Sequence, residues 1–514
     1  METIRTFRHT LNFPPARTLE GLKVRLRATM GAAPLLIATF REPVVLLKNL
    51  EMKHPAGGVS QALHTLMGQI GGHWIAVKDS PGPESLLIHP EGTLGYRLHR
   101  LSIPPDLRQP FYEGYSNGVL WPLFHGNLER VLHCPSDFEH YDSVNRIFAQ
   151  KILESSRTAR PGLIWVHDYQ LFRVGYWLRK ETRKPLPPLA FFCHIPWPDP
   201  DEFSVLPEHK DLLEGLLSYD VVGFQTEEHR SLFLDTVSKA FPRASIEEDG
   251  TIRIKKHVIQ TTVSPVGIDP VRFRKMSTSD SNLAAAQDFL KTLGIAPLSS
   301  FIISVDRMDY TKGLLERIDI LDSFFTRFPQ WREKITFLQV APPTRTGQSV
   351  YRDFQDQLRA RITGFNIAWS TEDWTPLLTV EKTLEQNLLS GLYRLANGAL
   401  VTSSQDGMNL VAQEFVASQS NGGGTLFLSR FAGSSQFLKN AVQIDPFAPD
   451  DAARKIQAGL SAPFEQRLLM NTSLNSQIDT NNIYRWIARF LESVPTTEPP
   501  ASGIETYPRG IVMA

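Results

Sequence analysis

Two α/β domains, each built on a parallel sheet, are predicted by three observations. The chain has 514 residues, too many for one typical core and close to two domains of roughly 200–250 residues. Apolar, β-branched or aromatic runs recur with helix-period segments between them, the pattern of a parallel sheet with crossover helices. That rhythm breaks once and then restarts.

In the first half, strands are read at "LLIATF", "HWIAV", "GLIWV", "LAFFCHI", "DVVGF" and "VIQTTVSPV". Residues 275–297 are polar and then helical ("LAAAQDFLKTLG"). The alternation resumes with "SFIISV" (300–305), "KITFLQV" (334–340), "GALVTSS" (398–404) and "GTLFLS" (424–429). A boundary is placed near "SPVGIDPVRF" (264–273), where Pro265, Gly267 and Pro270 punctuate the end of a strand. This gives an N-terminal domain over 1–267 and a C-terminal domain over 268–475. "NNIYRWIARFLESV" reads as an amphipathic helix within 476–495 that crosses back to the first domain, and "VPTTEPPASG" leads into a solvated tail over 496–514.

The 54 basic and 54 acidic residues cancel. There is then no general attraction to nucleic acid or to an anionic membrane, and any anion must be recognised locally. Two cysteines, Cys134 and Cys193, argue against a disulfide framework and against a cysteine zinc site. No apolar run approaches the ~18 residues of a membrane span, and "PLLIATF" (34–40) reads as a buried strand rather than a signal segment. A cytoplasmic protein is expected. No HExxH, no cysteine–histidine spacing and no Asp-x-Asp clamp after a strand appears, so neither metal nor cofactor is expected.

In open α/β sheets ligands bind beyond the carboxyl ends of the strands. "SVDRMDYTKGL" (304–314) places Arg307 and Lys312 around a strand-to-helix loop beside Gly313. The helix that follows is expected to carry Leu314, Ile318, Leu321, Phe325 and Phe328 on one face up to Pro329. A guanidinium, an ammonium and exposed helix N–H groups at one point suit a phosphate or diphosphate; loosely paired surface charge is the competing reading. In "GALVTSSQDGMNLVAQEF" (398–415), Asp406-Gly407 makes a turn and a helix is expected from about Met408. Backbone N–H groups of Gly407, Met408 and Asn409 would then face a ligand. Glu414, about two turns on, either accepts from two sugar hydroxyls or is simply an exposed helical glutamate. "LIWVHDYQL" and "LAFFCHIPWPDP" end strands with His167-Asp168 and His194, either satisfied structural groups or catalysts.

"WVHDYQL", "HIPWP", "VLPEHKDLLEGLLSYDVVGFQT", "SPVGIDPVRF", "VDRMDYTKG", "QDGMNLVAQEFVASQ" and "LSRFAGSSQFL" follow one another in this order. Over about residues 105–490 the chain thereby resembles the trehalose-6-phosphate synthase family of retaining glycosyltransferases. The resemblance implies two Rossmann-like domains facing a cleft, the glycosyltransferase B fold. It implies transfer of glucose from a nucleotide sugar, UDP-glucose foremost, to glucose-6-phosphate, giving α,α-trehalose 6-phosphate. Arg307 and Lys312 would hold the donor diphosphate. Asp406, Gly407, Met408, Asn409, Leu410 and Val411 would meet donor glucose and phosphate, with Glu414 on the ribose and the Gly57-Gly58 pair on the donor side. His194 would contact the transferred glucose, and Asp168 would hold sugar hydroxyls at the reaction centre. On the acceptor side stand Arg41, Tyr112 and Trp121 of "FYEGYSNGVLWPLFH", with Arg345 of "APPTRTG" clasping the acceptor phosphate. The family reading also admits a homo-oligomer and a separate phosphatase that takes the product.

Two departures bear on the acceptor. "TFREPVVLLKNLEMKHPAGGV" (39–59) has a longer loop between Arg41 and Gly57 than many members, and its Arg-Glu-Pro is similar to glucosylglycerol-phosphate synthases, which use glycerol-3-phosphate. Gln405 stands where an arginine is usual before Asp-Gly. Glycerol-3-phosphate is therefore the alternative acceptor, and a non-catalytic regulatory paralogue is the alternative from another class.

Overall fold

The computed structural model describes residues 16–46, 52–53, 58–90, 92–296, 299–419 and 422–495. The first half contains β1 (Leu35–Ala38), β2 (Val45–Leu46), β3 (Met52–Lys53), β4 (His73–Val77), β5 (Ser85–Ile88) and β6 (Tyr96–Leu101). It continues with β7 (Leu163–His167), β8 (Leu189–Phe192), β9 (Val221–Phe224), β10 (Ser245–Ile246), β11 (Ile252–Ile254) and β12 (His257–Val263). The second half contains β13 (Ser300–Val305), β14 (Ile335–Val340), β15 (Leu377–Val380), β16 (Gly398–Val401), β17 (Thr425–Ser429) and β18 (Val442–Ile444).

Among the described residues these strands form two large sheets and the small β2–β3 ribbon. The first sheet runs β10-β11-β12-β9-β8-β7-β1-β4-β6-β5. It is parallel from β12 to β6, with antiparallel strands only at its edges. The second runs β15-β14-β13-β16-β17-β18 and is parallel throughout. Numbered from β13, this is the doubly wound order 3-2-1-4-5-6, whose direction reverses between β13 and β16.

The ten strands expected from apolar runs are present. They were readable because helices cover both faces: β1, β7, β8, β9, β14, β16 and β17 are buried at every position. β6, "YRLHRL", was not readable. It alternates charged and apolar residues, and its Arg100 is buried against Glu42.

The chain passes between the sheets at 264–269 and again at 481–483. The two crossovers touch: Ile483 N–H donates to Ile268 O at 2.9 Å, and a Cβ on Gly267 would lie 2.2 Å from Asn481 O, so only glycine fits there. The helix Ile483–Glu492 then lays Trp486 and Phe490 on the first sheet, where Phe490 stacks on Trp165 at 4.5 Å and Trp486 meets Phe192 edge-on at 5.4 Å. Burying each such ring is worth about 2–3 kcal/mol, which fastens the end of the chain to the domain it left. Among the described residues no helix is long and apolar enough to cross a membrane, and no three metal-ligating side chains gather.

Candidate active site

The chain reversal between β13 and β16 leaves a crevice, and both motif loops open into it. Past β13, the Asp306 carboxylate is buried against Arg317 at 2.6 Å. Arg317 also donates to Thr402 Oγ1 and Gln339 Oε1, both at 3.1 Å, so one guanidinium ties the ends of β13, β14 and β16 beneath the loop. Asp309 caps the single turn Tyr310–Lys312 by accepting from the Thr311 N–H and hydroxyl at 3.1 Å. Gly313 follows at φ 59°, and a Cβ there would lie 1.9 Å from Thr402 O. The sequence needs glycine at this point for two independent reasons.

Lys312 Nζ pairs with Asp406 Oδ2 at 2.6 Å. Asp406 also accepts from Ser403 Oγ at 3.1 Å and Asn409 Nδ2 at 3.2 Å. Burial alone would push the Asp406 carboxyl up; Lys312 and, after it, Asn409 hold it below its usual value. The helix after it is Leu410–Ser418, two residues later than the sequence suggested. Asn409 is the reason: at φ 76° it takes the left-handed cap, with its Oδ1 accepting from Ala412 N–H at 3.1 Å. Gly407 and Met408 are therefore loop, while Leu410 and Val411 form the first turn. Phe328, expected on the helix that follows Gly313, lies just past the end of that helix, Leu314–Arg327.

Glu414 is buried, not an exposed helical glutamate. Burial raises its pKa to about 7, only partly countered by Tyr393, whose hydroxyl donates at 3.4 Å, and by Arg272. It lines a cleft shared with Gln61, Thr65, Asp269, Arg272 and Gln386.

The other wall comes from the first sheet. Asp168 ends β7 at φ 75°, its carboxylate accepting from the Tyr169 N–H at 3.1 Å. Burial raises it to about 6 against the pull of Arg345 and Arg41. His194 follows β8; burial drives its pKa to about 3, and that of His167 well below normal, so both rings are neutral. His167 Nδ1 and His194 Nε2 lie 3.1 Å apart, and Gln225 Nε2 approaches His194 Nδ1 at 3.3 Å. Both ring nitrogens of His194 are thus engaged inside its own domain. Across the crevice, a Cβ on Gly407 would sit 2.0 Å from His194 O, so the two walls meet at glycine.

Tyr112 lies on a π-helical segment, Pro110–Leu120, that runs into Trp121. Its hydroxyl accepts from Arg41 Nη2 at 2.5 Å, and its ring stacks on Phe40 at 4.7 Å. Arg345, at φ 49°, reaches over from the second sheet. It pairs with Asp309 at 3.0 Å, bonds the Tyr351 hydroxyl, donates to Tyr169 Oη at 3.3 Å and lies 4.1 Å over the Trp121 ring. Arg307 is half-buried and has no side-chain hydrogen bond or ion pair among the described residues. Burial should raise the Tyr112 hydroxyl, yet Arg41, Arg345 and Arg307 pull it down to about 8. Three guanidinium groups thus act on one tyrosine, and Asp309, paired with Arg345, is the carboxylate among them.

The chain matches the Glycosyltransferase family 20 model over residues 37–496. It belongs to glycosyltransferase family 20. The trehalose-6-phosphate synthase of Klebsiella pneumoniae is 32% identical over 87% of this chain and 93% of that protein, and that of Salmonella arizonae is 33% identical over 89% and 96%. Among solved structures, an E. coli protein bound with UDP-2-fluoro glucose is similar at TM-score 0.78 and 30% identity, covering 88% of this chain and 97% of that one. A UDP-forming α,α-trehalose-phosphate synthase from Burkholderia xenovorans in complex with glucose-6-phosphate gives TM-score 0.79, 30% identity, and 88% and 98% coverage. The glycosyltransferase B arrangement of two parallel-sheet domains is common to them.

Within this family 20 framework the departures can be placed. Glu42 of Arg-Glu-Pro is buried in an ion pair with Arg100 and accepts from the Asp79 N–H at 3.0 Å. It points into the domain, and only Arg41 reaches the crevice. Gln405 is half-buried and makes no side-chain hydrogen bond among the described residues. Gly58 opens the helix Gly58–Ile70, whereas Gly57 and most of the 39–59 loop beyond Leu46 lie outside the described residues. Sequence reasoning gave no role to Asp309 or Arg317, which fix the cationic loop, nor to Gln225. It also passed over His125, buried with Nδ1 on Trp121 O at 2.7 Å and facing Asp309, Lys312 and Asp406 across the crevice. His125 closes a quoted motif; Gln225 closes an apolar strand.

Proposed function

We propose that this family 20 enzyme transfers glucose from UDP-glucose to glucose-6-phosphate with retention, forming α,α-trehalose 6-phosphate. The convergence of Arg41, Arg307 and Arg345 on Tyr112, beside the Lys312 loop, carries the reading. Such a site suits two phosphorylated substrates held side by side.

Lys312 and Arg307 take the donor diphosphate, and the 406–411 turn takes its phosphate and glucose. Glu414 takes the ribose; Gly57 and Gly58 remain assigned to the donor. Arg41, Tyr112, Trp121 and Arg345 hold the acceptor, and Asp168 holds sugar hydroxyls between the two. Residues 1–267 form the acceptor domain and 268–475 the nucleotide-sugar domain, with 476–495 returning to the first. As the glycosidic bond breaks, negative charge grows on the leaving diphosphate, so fixed cations stabilise the transition state more than the ground state. The leaving phosphate oxygen takes the acceptor proton on the same face of the sugar. No protein nucleophile is required, and the closed crevice supplies orientation and excludes water.

The Arg-Glu-Pro likeness to glycerol-3-phosphate enzymes loses weight because Glu42 is engaged with Arg100. The test is incubation of the protein with UDP-, GDP- or ADP-glucose and glucose-6-phosphate, with the product followed by mass and by the anomeric proton couplings. A disaccharide phosphate with both linkages α, formed fastest from UDP-glucose, is expected. An inverted linkage, or hydrolysis without transfer, contradicts the reading.

A further inference from the structure

His194 is held by a directional chain of hydrogen bonds that starts in the interdomain crossover. Gln225, the residue after β9, is buried at 1% exposure. Its Oε1 accepts from the Val266 N–H at 2.9 Å, which fixes which way the amide faces. Its Nε2 therefore donates to His194 Nδ1 at 3.3 Å. A ring nitrogen that accepts carries no proton, so the His194 proton lies on Nε2 and is donated to His167 Nδ1 at 3.1 Å. The His167 proton is left on Nε2, a buried atom with no hydrogen-bond partner among the described residues, where the ring packs on Trp165 at 4.5 Å. Only this polarity satisfies every other member of the chain.

The far end is anchored in the other domain. Val266 O accepts from Gln413 Nε2 at 3.1 Å, on the helix Leu410–Ser418 that follows the Asp406 turn. One crossover residue is thus gripped on its N–H by the first domain and on its carbonyl by the second. The ionisable groups facing His194 are His167 and, through the His194 peptide N–H, Asp168.

We infer that Gln225 and His167 are positioning residues that lock His194 in its Nε2–H tautomer, and that Gln225 couples this tautomer to the crossover at Val266. Both ring nitrogens are thereby engaged within the first domain, so the lock fixes the orientation of the ring at the crevice, whereas the reverse tautomer would set two N–H groups against each other at Gln225 and free the ring to turn. The effect on rate rests on the proposed transfer; the tautomer does not.

The deciding experiment is nitrogen-15 NMR of the His194 ring in the full chain at neutral pH, for wild type, Gln225→Glu and Gln225→Leu, with melting curves and steady-state kinetics for each. Wild type should show Nε2 protonated and Nδ1 bare. Glu at 225 still accepts from Val266 but sets a carboxylate against Nδ1, so the proton should move to Nδ1 while the fold is kept. Its kcat should fall about 10- to 100-fold, as for other residues that orient a reacting group. Leu at 225 should lose the fixed tautomer. A bare Nε2 in wild type overturns the inference even if both variants fail to fold, as does an unmoved proton in folded Gln225→Glu. A moved proton with unchanged kcat keeps the positioning chain but removes His194 from the transfer.

Discussion

The two walls of the crevice treat charge in opposite ways. On the second-domain wall, three buried charges are already paired, Lys312 with Asp406, Arg345 with Asp309, and Arg317 with Asp306, while the half-buried Arg307 and the buried Glu414 make no ion pair among the described residues. On the first-domain wall the buried histidines are kept neutral, His167 and His194 carrying no proton charge, and the Asp168 carboxylate is held by backbone N–H groups rather than by a paired cation, its pKa raised to about 6. Arg41 is the cation of this wall, and that residue meets a tyrosine rather than a carboxylate. A paired wall can bind a diphosphate by exchanging partners without first desolvating a bare cation. A neutral wall leaves sugar hydroxyls to set the geometry.

The comparison breaks most visibly in stability. Arg317→Leu strands Asp306 in the interior and should cost about 3–5 kcal/mol in a denaturant titration. A loss below about 1 kcal/mol would mean the pair does not hold the loop. Next come the cations proposed to face the donor: Arg307→Ala and Lys312→Ala should each lose about 2–4 kcal/mol of transition-state stabilisation, on the order of 30- to 1,000-fold in kcat, with the protein still folded. Near-wild-type turnover would remove the diphosphate role. Arg345→Lys keeps a charge opposite Asp309 but loses the fork and its stacking on Trp121; KM for the phosphorylated acceptor should rise about 10- to 100-fold with donor KM little changed. An unchanged acceptor KM would move Arg345 out of the acceptor site.

The smallest expected effect is on pH dependence, and its sign differs between the two kinds of carboxylate. Glu414 binds its proton more tightly folded than unfolded, so its contribution to stability is lost as pH rises from about 4.5 to about 7. Glu414→Gln should therefore gain in melting temperature relative to wild type at pH 8, and the gain should vanish below pH ~4. Asp309 and Asp406, held low by their cations, act the other way: their stabilisation is present above the usual carboxylate range and fades as pH falls through their lowered values.

The same contrast decided what the sequence revealed. The cationic loop was legible because strand, glycine and cation fall within eleven consecutive residues, and the strand order that brings Asp406 to Lys312 places it in the crevice rather than on the outer surface. The proposed acceptor side was legible only by resemblance: Arg41 and Tyr112 are 71 residues apart, Arg345 lies far beyond both, and nothing local marks them as neighbours. Strands buried on both faces declared themselves as apolar runs, whereas β6 hid behind its arginines. The left-handed Asn409, which delays the helix by two residues, has no signal in a pattern read by periodicity alone. Glu42 shows the converse: a residue that looked diagnostic of the acceptor turns inward to Arg100.

The proposed selection of a sugar phosphate by the crevice arginines is tested most directly by competing glucose-6-phosphate against glycerol-3-phosphate in one reaction with UDP-glucose and identifying the products by mass. Trehalose 6-phosphate as the dominant product, with the preference weakened in Arg345→Lys, is the expected result. Glucosylglycerol phosphate as the dominant or sole product would contradict it.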